Sequence, residues 1–405
     1  MQFKRRWPIG ETQQVLSKRW RQFLKLGKMQ RAEAFSESRD KKVSKTYSNN
    51  LPGSDLPCLV DLGDDAVVPK IKPYAYRSFD RQFMLFDTRL GDYLRPDLVA
   101  AHGEQQVYMS SLLTNVSGLG PTAVATEILS DLDHFRGSFG AKHLIPLWRN
   151  SGATQPNITA GVLDRLKVAY GHQVKAEDLF AYAYAVLANP GYVKMFWEEL
   201  STPGPRLPVS KNASLFGKAA KLGCKLIWLH TFGNRMVPKG KRAGEVPQGK
   251  ARCLKAIPQT EMAYPEESSY SAASKVIQFG AGRFGPVAPE IWEFEVSGLK
   301  VVQSWLAYRR HSGAGKRSSP LDKIRPSVWT ARLTDQFLEM LWVLEHTVAL
   351  YSDLQRLLEE IVKGDCFLAS DFPQPTATER EAPQILGPRQ ARDTKQEVMN
   401  FGAED

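Results

Sequence analysis

The chain has 405 residues, 42% hydrophobic and 24% charged, an ordinary globular balance that suffices for two or three domains. Its net charge of +11 and pI of about 9.3 point to a polyanionic partner, nucleic acid first and an acidic membrane second. The four cysteines, Cys58, Cys224, Cys253 and Cys366, form no CxxC pair, which excludes zinc-ribbon spacing and argues against a disulfide framework. The N-terminus carries charge with no apolar run behind it, so it is not a secretory signal, and no stretch approaches the ~20 apolar residues of a membrane span. A cytoplasmic protein without a membrane partner is expected.

Residues 4–45 read as basic and helical, with Val15, Arg19, Phe23 and Leu26 near helical spacing and a polar connector at 34–45. The Pro-, Gly- and Asp-rich stretch 48–70 reads as a loop. From Pro73 aromatics and arginines alternate, as in short strands joined by tight turns, and 107–114 and 122–129 are further strand candidates. Helices are predicted from about Asn157 to Gly171, over 176–188, through Tyr192 to Leu200, and from Ser214 to Leu229. PGPRLP at 203–208 breaks the third from the fourth.

Residues 233–275 read as a basic, loop-rich stretch with a short hairpin. SKVIQFG (274–280) and IWEFEV (291–296) alternate like strands, and LKVVQSWLAYRR after Gly298 reads as a helix. A Gly/Ser/Pro loop at 312–326 precedes one long helix over 334–363, with Gly364 as its C-cap. Beyond Asp371 the chain is polar and reads as disordered. The fold class is therefore α+β: mixed short strands on a helical scaffold, closed by a long C-terminal helix and a disordered tail.

Charge is segregated along this plan. Residues 1–45 hold 13 Lys and Arg against 4 Asp and Glu, residues 206–255 hold 12 against Glu245 alone, and residues 300–332 hold 8 against Asp322 alone. Residues 371–405 hold 4 against 7. Clusters of this kind are what a phosphate footprint requires. The candidate DNA-binding residues are Arg206, Arg235, Lys239, Lys241, Arg242, Lys250 and Arg252 in the second cluster, and Arg309, Arg310, Lys316 and Arg317 in the third. Arg77 and Arg81 join them from the alternating segment.

No catalytic motif survives scrutiny. Asn189-Pro190-Gly191-Tyr192 resembles the NPPY of amino-methyltransferases, but Gly191 replaces the second Pro and no strand, Gly-rich turn and helix precede it. It reads as a helix stop. Gly313 to Ser318 resembles a phosphate loop but has Arg310 and Arg317 where Gly and Ser or Thr belong. Glu293 and Glu295 lack the lysine of a nuclease triad, and Asp131, Asp133 and His134 lack a distant fourth metal ligand. His230, ending an apolar helix, reads as structural. Catalytic, cofactor-binding and metal residues are all expected to be absent.

Longer strings carry a family resemblance. AYRSFDRQFMLFDTRLGDYLRP (75–96), IPLWRNSGATQPNIT (145–159), DLFAYAYAVLANPGYVKMFWEELSTPGPRLP (178–208), RFGPVAPEIWEFEVSGLKVVQSWLAYR (283–309) and SSPLDKIRP (318–326) resemble the C-terminal specificity region of type ISP restriction-modification enzymes. Those enzymes join an adenine-specific methyltransferase, a translocase and a nuclease in one chain. The resemblance spans about Tyr74 to Phe367. It implies a basic helical connector and loop at 1–73, an extended, β-rich region at 74–156 that follows a methyltransferase core, and a helical target-recognition domain at 157–370 with a small β portion at 233–296. A disordered tail at 371–405 completes the plan.

The function implied is sequence-specific recognition of double-stranded DNA. S-adenosylmethionine, ATP and Mg belong to the family's upstream domains and none to this chain, whose second partner would be an upstream methyltransferase and translocase. A fragment, a split-gene product or a truncated paralogue is the expected origin. Two alternatives compete with this reading. One is a working part of an S-adenosylmethionine-dependent N6-adenine methyltransferase. The other is a scaffold whose long helix docks a partner subunit. RNA binding is weaker still, because no RNP-like aromatic motif is present.

Overall fold

We obtained a computed structural model of the chain, which describes residues 2–3, 5–38, 41–47, 56–112, 118–135, 142–201, 206–311 and 319–383. β1 (Ile9–Gly10) is followed by α1 (Gln13–Leu24) and α2 (Lys28–Phe35), then by the hairpin of β2 (Ile71–Arg77) and β3 (Asp80–Leu85). The Thr12 hydroxyl accepts from Val15 N at 3.2 Å and caps α1, which buries Val15, Leu16, Trp20, Phe23 and Leu24 on one face. Trp7 stacks on Phe23 with centroids 5.6 Å apart. β1 pairs with β3, Ile9 opposite Met84, so the sheet runs β1-β3-β2. The boundary expected at residue 73 therefore falls inside a sheet, and the segment expected as a connector shares one apolar core with Tyr74, Tyr76, Met84 and Leu90.

α3 (Pro96–Ala100) leads to a second antiparallel sheet of β4 (Tyr108–Leu112), β5 (Ala123–Thr126) and β6 (Lys142–Pro146), ordered β5-β4-β6. The helical scaffold follows: α4 (Val162–Tyr170), α5 (Ala176–Leu187), α6 (Pro190–Met195) and α7 (Ala213–His230). α5 and α7 lie against each other at close range because Gly223 has no side chain. A Cβ there would sit 1.8 Å from the Ala181 carbonyl oxygen. Asn212 caps α7, its Oδ1 accepting from Ser214 N and Leu215 N.

A third antiparallel sheet holds β7 (Arg252–Lys255), β8 (Ser268–Ser271), β9 (Val276–Phe279) and β10 (Gly282–Gly285), ordered β7-β10-β9-β8. Then come α8 (Pro289–Trp292), the small pair β11 (Glu295–Val296) and β12 (Leu299–Lys300), α9 (Val301–Arg309), α10 (Ala331–Val348), α11 (Tyr351–Lys363) and α12 (Ala377–Arg380). Among the described residues, helices and small antiparallel sheets share the chain, so the fold is α+β as expected. No helix of the described residues is long and apolar enough to cross a membrane.

Three expectations are corrected. The helix predicted over 334–363 is two helices, α10 and α11, parted at Ala349 and Leu350. IWEFEV is not one strand: Pro289 starts a helical turn that takes up Ile291 and Trp292, and only Glu295 and Val296 pair as strand. Residues 371–383, read as the start of a disordered tail, are tied down. The Arg149 guanidinium donates to the Glu379 and Glu381 carbonyls at 3.0 and 2.6 Å, and Phe372 packs on Phe367 with centroids 5.2 Å apart.

Candidate nucleic-acid interface

The basic stretch after α7 is a loop held at its base and open at its tip. Gly244 N donates to the Gly233 carbonyl at 3.0 Å, and both glycines have positive φ, which lets the chain double back. At the far end the Glu345 carboxylate of α10 accepts from the backbone amides of Lys250 and Ala251, the latter at 3.0 Å. Trp342 Nε1 donates to the Ala251 carbonyl at 2.8 Å. A Cβ at Gly249 would lie 1.9 Å from the Glu345 carboxylate, so any other residue would require Glu345 to shift from these amides.

The tip between these anchors carries Lys239, Lys241 and Arg242, all exposed. Lys239 and Lys241 make no ion pair among the described residues. Arg242 lies 3.3 Å from Glu245 in an exposed pair of little worth.

The loop runs directly into β7, the edge strand of the third sheet. One face of this sheet buries Ile277, Phe279 and Phe284, with Phe284 edge-on to Phe337 at 5.0 Å and Phe279 edge-on to Trp329 at 5.2 Å. Period-two alternation then turns the neighbouring residues outward. The registers place Lys255 opposite Arg283, Arg283 opposite Gln278 and Gln278 opposite Ser269, one row across all four strands. Like charges directly opposite each other cost stability, so the Lys255 and Arg283 pair opposes the fold by roughly 0.2–1 kcal/mol. Neither residue was nominated from the sequence. Their signal was the alternation of 252–255 and 282–285, which shows as a row only once the strands are paired.

The structure sorts the nominated residues into two sets. Lys239, Lys241, Arg242, Lys250 and Arg252 lie exposed on the loop and the first residue of β7. Arg252 donates to the Gly249 and Ala251 carbonyls at 2.6 and 2.8 Å, which fixes its guanidinium over the loop base. Arg206 is exposed, and among the described residues its guanidinium makes a long bond to the Glu199 carbonyl, 3.4 Å.

The second set is committed to the fold. Arg309 is 1% exposed, 2.6 Å from the Asp80 carboxylate, itself 2% exposed, and its guanidinium lies 3.6 Å over the Trp305 ring. Arg77 pairs with the buried Asp131 at 3.2 Å and lies over Tyr76, and the charges around it raise its pKa against the opposing effect of burial. Arg81 pairs with Glu339 at 2.9 Å and lies 3.6 Å over Phe232. Arg235 is half-buried, donates to the Gln106 carbonyl at 2.8 Å, and has its pKa lowered by burial. These four cross-link elements and are withdrawn as phosphate ligands. Arg310 is half-buried, and its buried Nε has no hydrogen-bond partner among the described residues. Lys316 and Arg317 lie outside the described residues.

The motifs set aside on sequence grounds have structural roles. Asn189 caps α6, its Oδ1 accepting from Gly191 N at 2.9 Å, while its Nδ2 donates to the Leu354 carbonyl at 3.0 Å. The Tyr192 hydroxyl donates to the Arg206 carbonyl. Asp131 accepts from the Tyr74 hydroxyl at 2.7 Å and from Arg77, and no metal-binding group of His, Cys, Asp and Glu occurs among the described residues. Glu293 and Glu295 are both bridged by Lys300, at 3.3 and 3.0 Å. His230 is buried between the Tyr184 hydroxyl and Thr347 Oγ1, the latter at 2.9 Å, and burial pushes its pKa down to about 3.

The fold is similar to that of known proteins. The cryo-EM structure of a DrdV–DNA complex matches 89% of this chain and 35% of its own, at 18% identity and a TM-score of 0.57. The ATP-dependent type ISP restriction-modification enzyme LlaBIII bound to DNA matches 89% of this chain and 23% of its own, at 13% identity and a TM-score of 0.55. A nuclease-deletion mutant of the type ISP enzyme LlaGI with a DNA substrate mimic matches 88% of this chain and 31% of its own, at 14% identity and a TM-score of 0.50. The chain thus spans about a third or less of these solved chains. No curated protein matches it. The family model for the Type ISP C-terminal specificity domain matches residues 1–340, and the chain belongs to that family.

Proposed function

We propose that this chain is the sequence-specific double-stranded DNA recognition module of a type ISP restriction-modification system. The observation that carries the reading is the outward-facing row Lys255, Arg283, Gln278 and Ser269, joined through Arg252 and Lys250 to the basic loop tip. Among the described residues the row brings two cations together without a carboxylate, at a cost to the fold that a phosphate would relieve. Family membership and the DNA complexes of the structural neighbours support the same partner.

In this reading Lys239, Lys241 and Arg242 neutralise phosphates and set the position along the duplex. Gln278 and Arg283, on a rigid sheet, stand where amide and guanidinium groups read adenine and guanine edges in the major groove. The chain's own contribution is binding and orientation. Flipping and methylating an adenine belongs to a methyltransferase partner that brings S-adenosylmethionine, and ATP and Mg belong to the translocase. The complex works in the cytoplasm, where its DNA is. A fluorescence-anisotropy titration on duplex DNA over a salt series tests the reading. Binding that weakens steeply with salt supports it, and no binding at low salt removes it.

A further inference from the structure

The loop and third sheet leave the first basic cluster, the N-terminal one, without a role. There α1 presents a sharply divided surface. Its inner face is clamped: Arg19 donates to the carbonyls of Trp7, Ile9 and Ile324 at 3.2, 2.6 and 2.9 Å, and Leu16, Trp20, Phe23 and Leu24 are buried. Its outer face carries Gln13, Gln14, Lys18, Arg21, Gln22 and Lys25, all exposed, with Ser17 half-buried among them. These side chains line an open surface hollow of about 610 Å³. The helix holds no acidic residue, and the side chains of Lys18, Arg21 and Lys25 make no ion pair or hydrogen bond among the described residues.

We propose that this outer face of α1 is a second DNA-contacting surface, laid into the major groove of the duplex. The inference rests on the DNA-recognition reading and adds to it an element that neither the nominated basic residues nor the sheet includes. At about 100° per residue, Gln14, Arg21 and Lys25 form the middle of the stripe, with Lys18 and Gln22 on one flank and Ser17 and Gln13 on the other. Amide and guanidinium groups at the centre are the side chains that pair with adenine and guanine edges, and the lysines beside them reach the phosphates. The helix is about 18 Å long and 10–12 Å wide, which fits a groove about 12 Å wide. Because its inner face is fixed by Arg19 and the aromatic stack, little ordering cost attends docking. An apolar protein neighbour would leave three cations and three amides desolvated, so charge complementarity favours the polyanion.

The test uses the full chain and a random-sequence duplex pool, with the Lys18→Ala, Arg21→Ala, Lys25→Ala triple variant beside the unsubstituted protein and a Lys239→Ala, Lys241→Ala, Arg242→Ala control. The α1 variant keeps the unfolding curve, because its replaced side chains are exposed. Its affinity falls about tenfold or more at moderate salt, and the slope of log K on log salt falls by up to about 2.7, or 0.9 for each phosphate no longer neutralised. Selection from the pool with a Gln14→Ala variant loses preference at one or two positions of the wild-type consensus. Unchanged affinity and slope in the α1 variant, while the wild type binds and the loop control weakens, overturns the proposal and assigns the face to a protein neighbour. Failure of the unsubstituted chain to bind any duplex overturns both this proposal and the recognition reading.

Discussion

Lys255 on β7 stands directly opposite Arg283 on β10, both side chains exposed and neither meeting a carboxylate among the described residues. A sheet selected for stability alone would place opposite charges there. The pair therefore separates stability from binding in a single substitution. Lys255→Glu creates a cross-strand ion pair with Arg283, so the melting temperature holds or rises slightly while duplex affinity drops about tenfold, some 1.4 kcal/mol. Thermal denaturation and anisotropy on the same preparation measure the two effects. A parallel loss of both would make the row structural.

The loop tip gives a cleaner electrostatic signature. Lys239→Ala, Lys241→Ala and Arg242→Ala together leave stability within about 0.5 kcal/mol, since all three are exposed surface substitutions. Binding weakens to every duplex alike, and the salt slope falls by up to about 0.9 for each phosphate left without its cation. An effect confined to one DNA sequence would assign these residues to base reading instead.

Arg309 is predicted to behave in the opposite way. Its replacement by Ala strands the Asp80 carboxylate in the core and costs about 3–5 kcal/mol in a urea unfolding curve. The fraction that remains folded binds DNA with an unchanged salt slope. Retained stability with a reduced slope would return Arg309 to the interface.

Acid sensitivity follows from His230. Its pKa in the fold is about 3, below the ordinary histidine value, so it stays neutral when native while the unfolded chain takes up a proton. Stability from this group is fully present above about pH 6.5 and declines by about 1.4 kcal/mol per unit as the pH falls from there toward 3. His230→Gln flattens that part of the stability profile relative to wild type. Parallel profiles for the two proteins between pH 4 and 6.5 would contradict the assignment.

The elements legible in the sequence were those with a strong local period. α5 and α7 declared themselves through apolar spacing, and β9 through the alternation of Val276 to Phe279. What local pattern could not show was pairing at long range. β1 finds β3 more than seventy residues away, and residues 379–381 are held by Arg149 from a distant loop, so neither tie shows in the local pattern that made one segment a connector and the other disorder. The apolar spacing of 334–363 continues through the break at Ala349 and Leu350 because both helices face the same core.

The site shows the same limit. Clustering of charge found the loop around Lys239 to Arg242, where sequence neighbours are also surface neighbours. It also pointed to Arg309, as the alternating segment pointed to Arg77 and Arg81, and the carboxylate partners of all three lie fifty residues or more away. A basic residue is a candidate ligand only after its acidic partner has been sought in the fold, and that search requires the tertiary structure.

The most direct test of the recognition reading is the affinity of the unsubstituted chain for duplex DNA between 50 and 200 mM salt, followed by fluorescence anisotropy. The account predicts a linear fall of log K with log salt, with a slope near −0.9 for each phosphate neutralised, so several basic residues give a slope of several units. Binding that does not change across the series, or no binding at 50 mM salt, contradicts it.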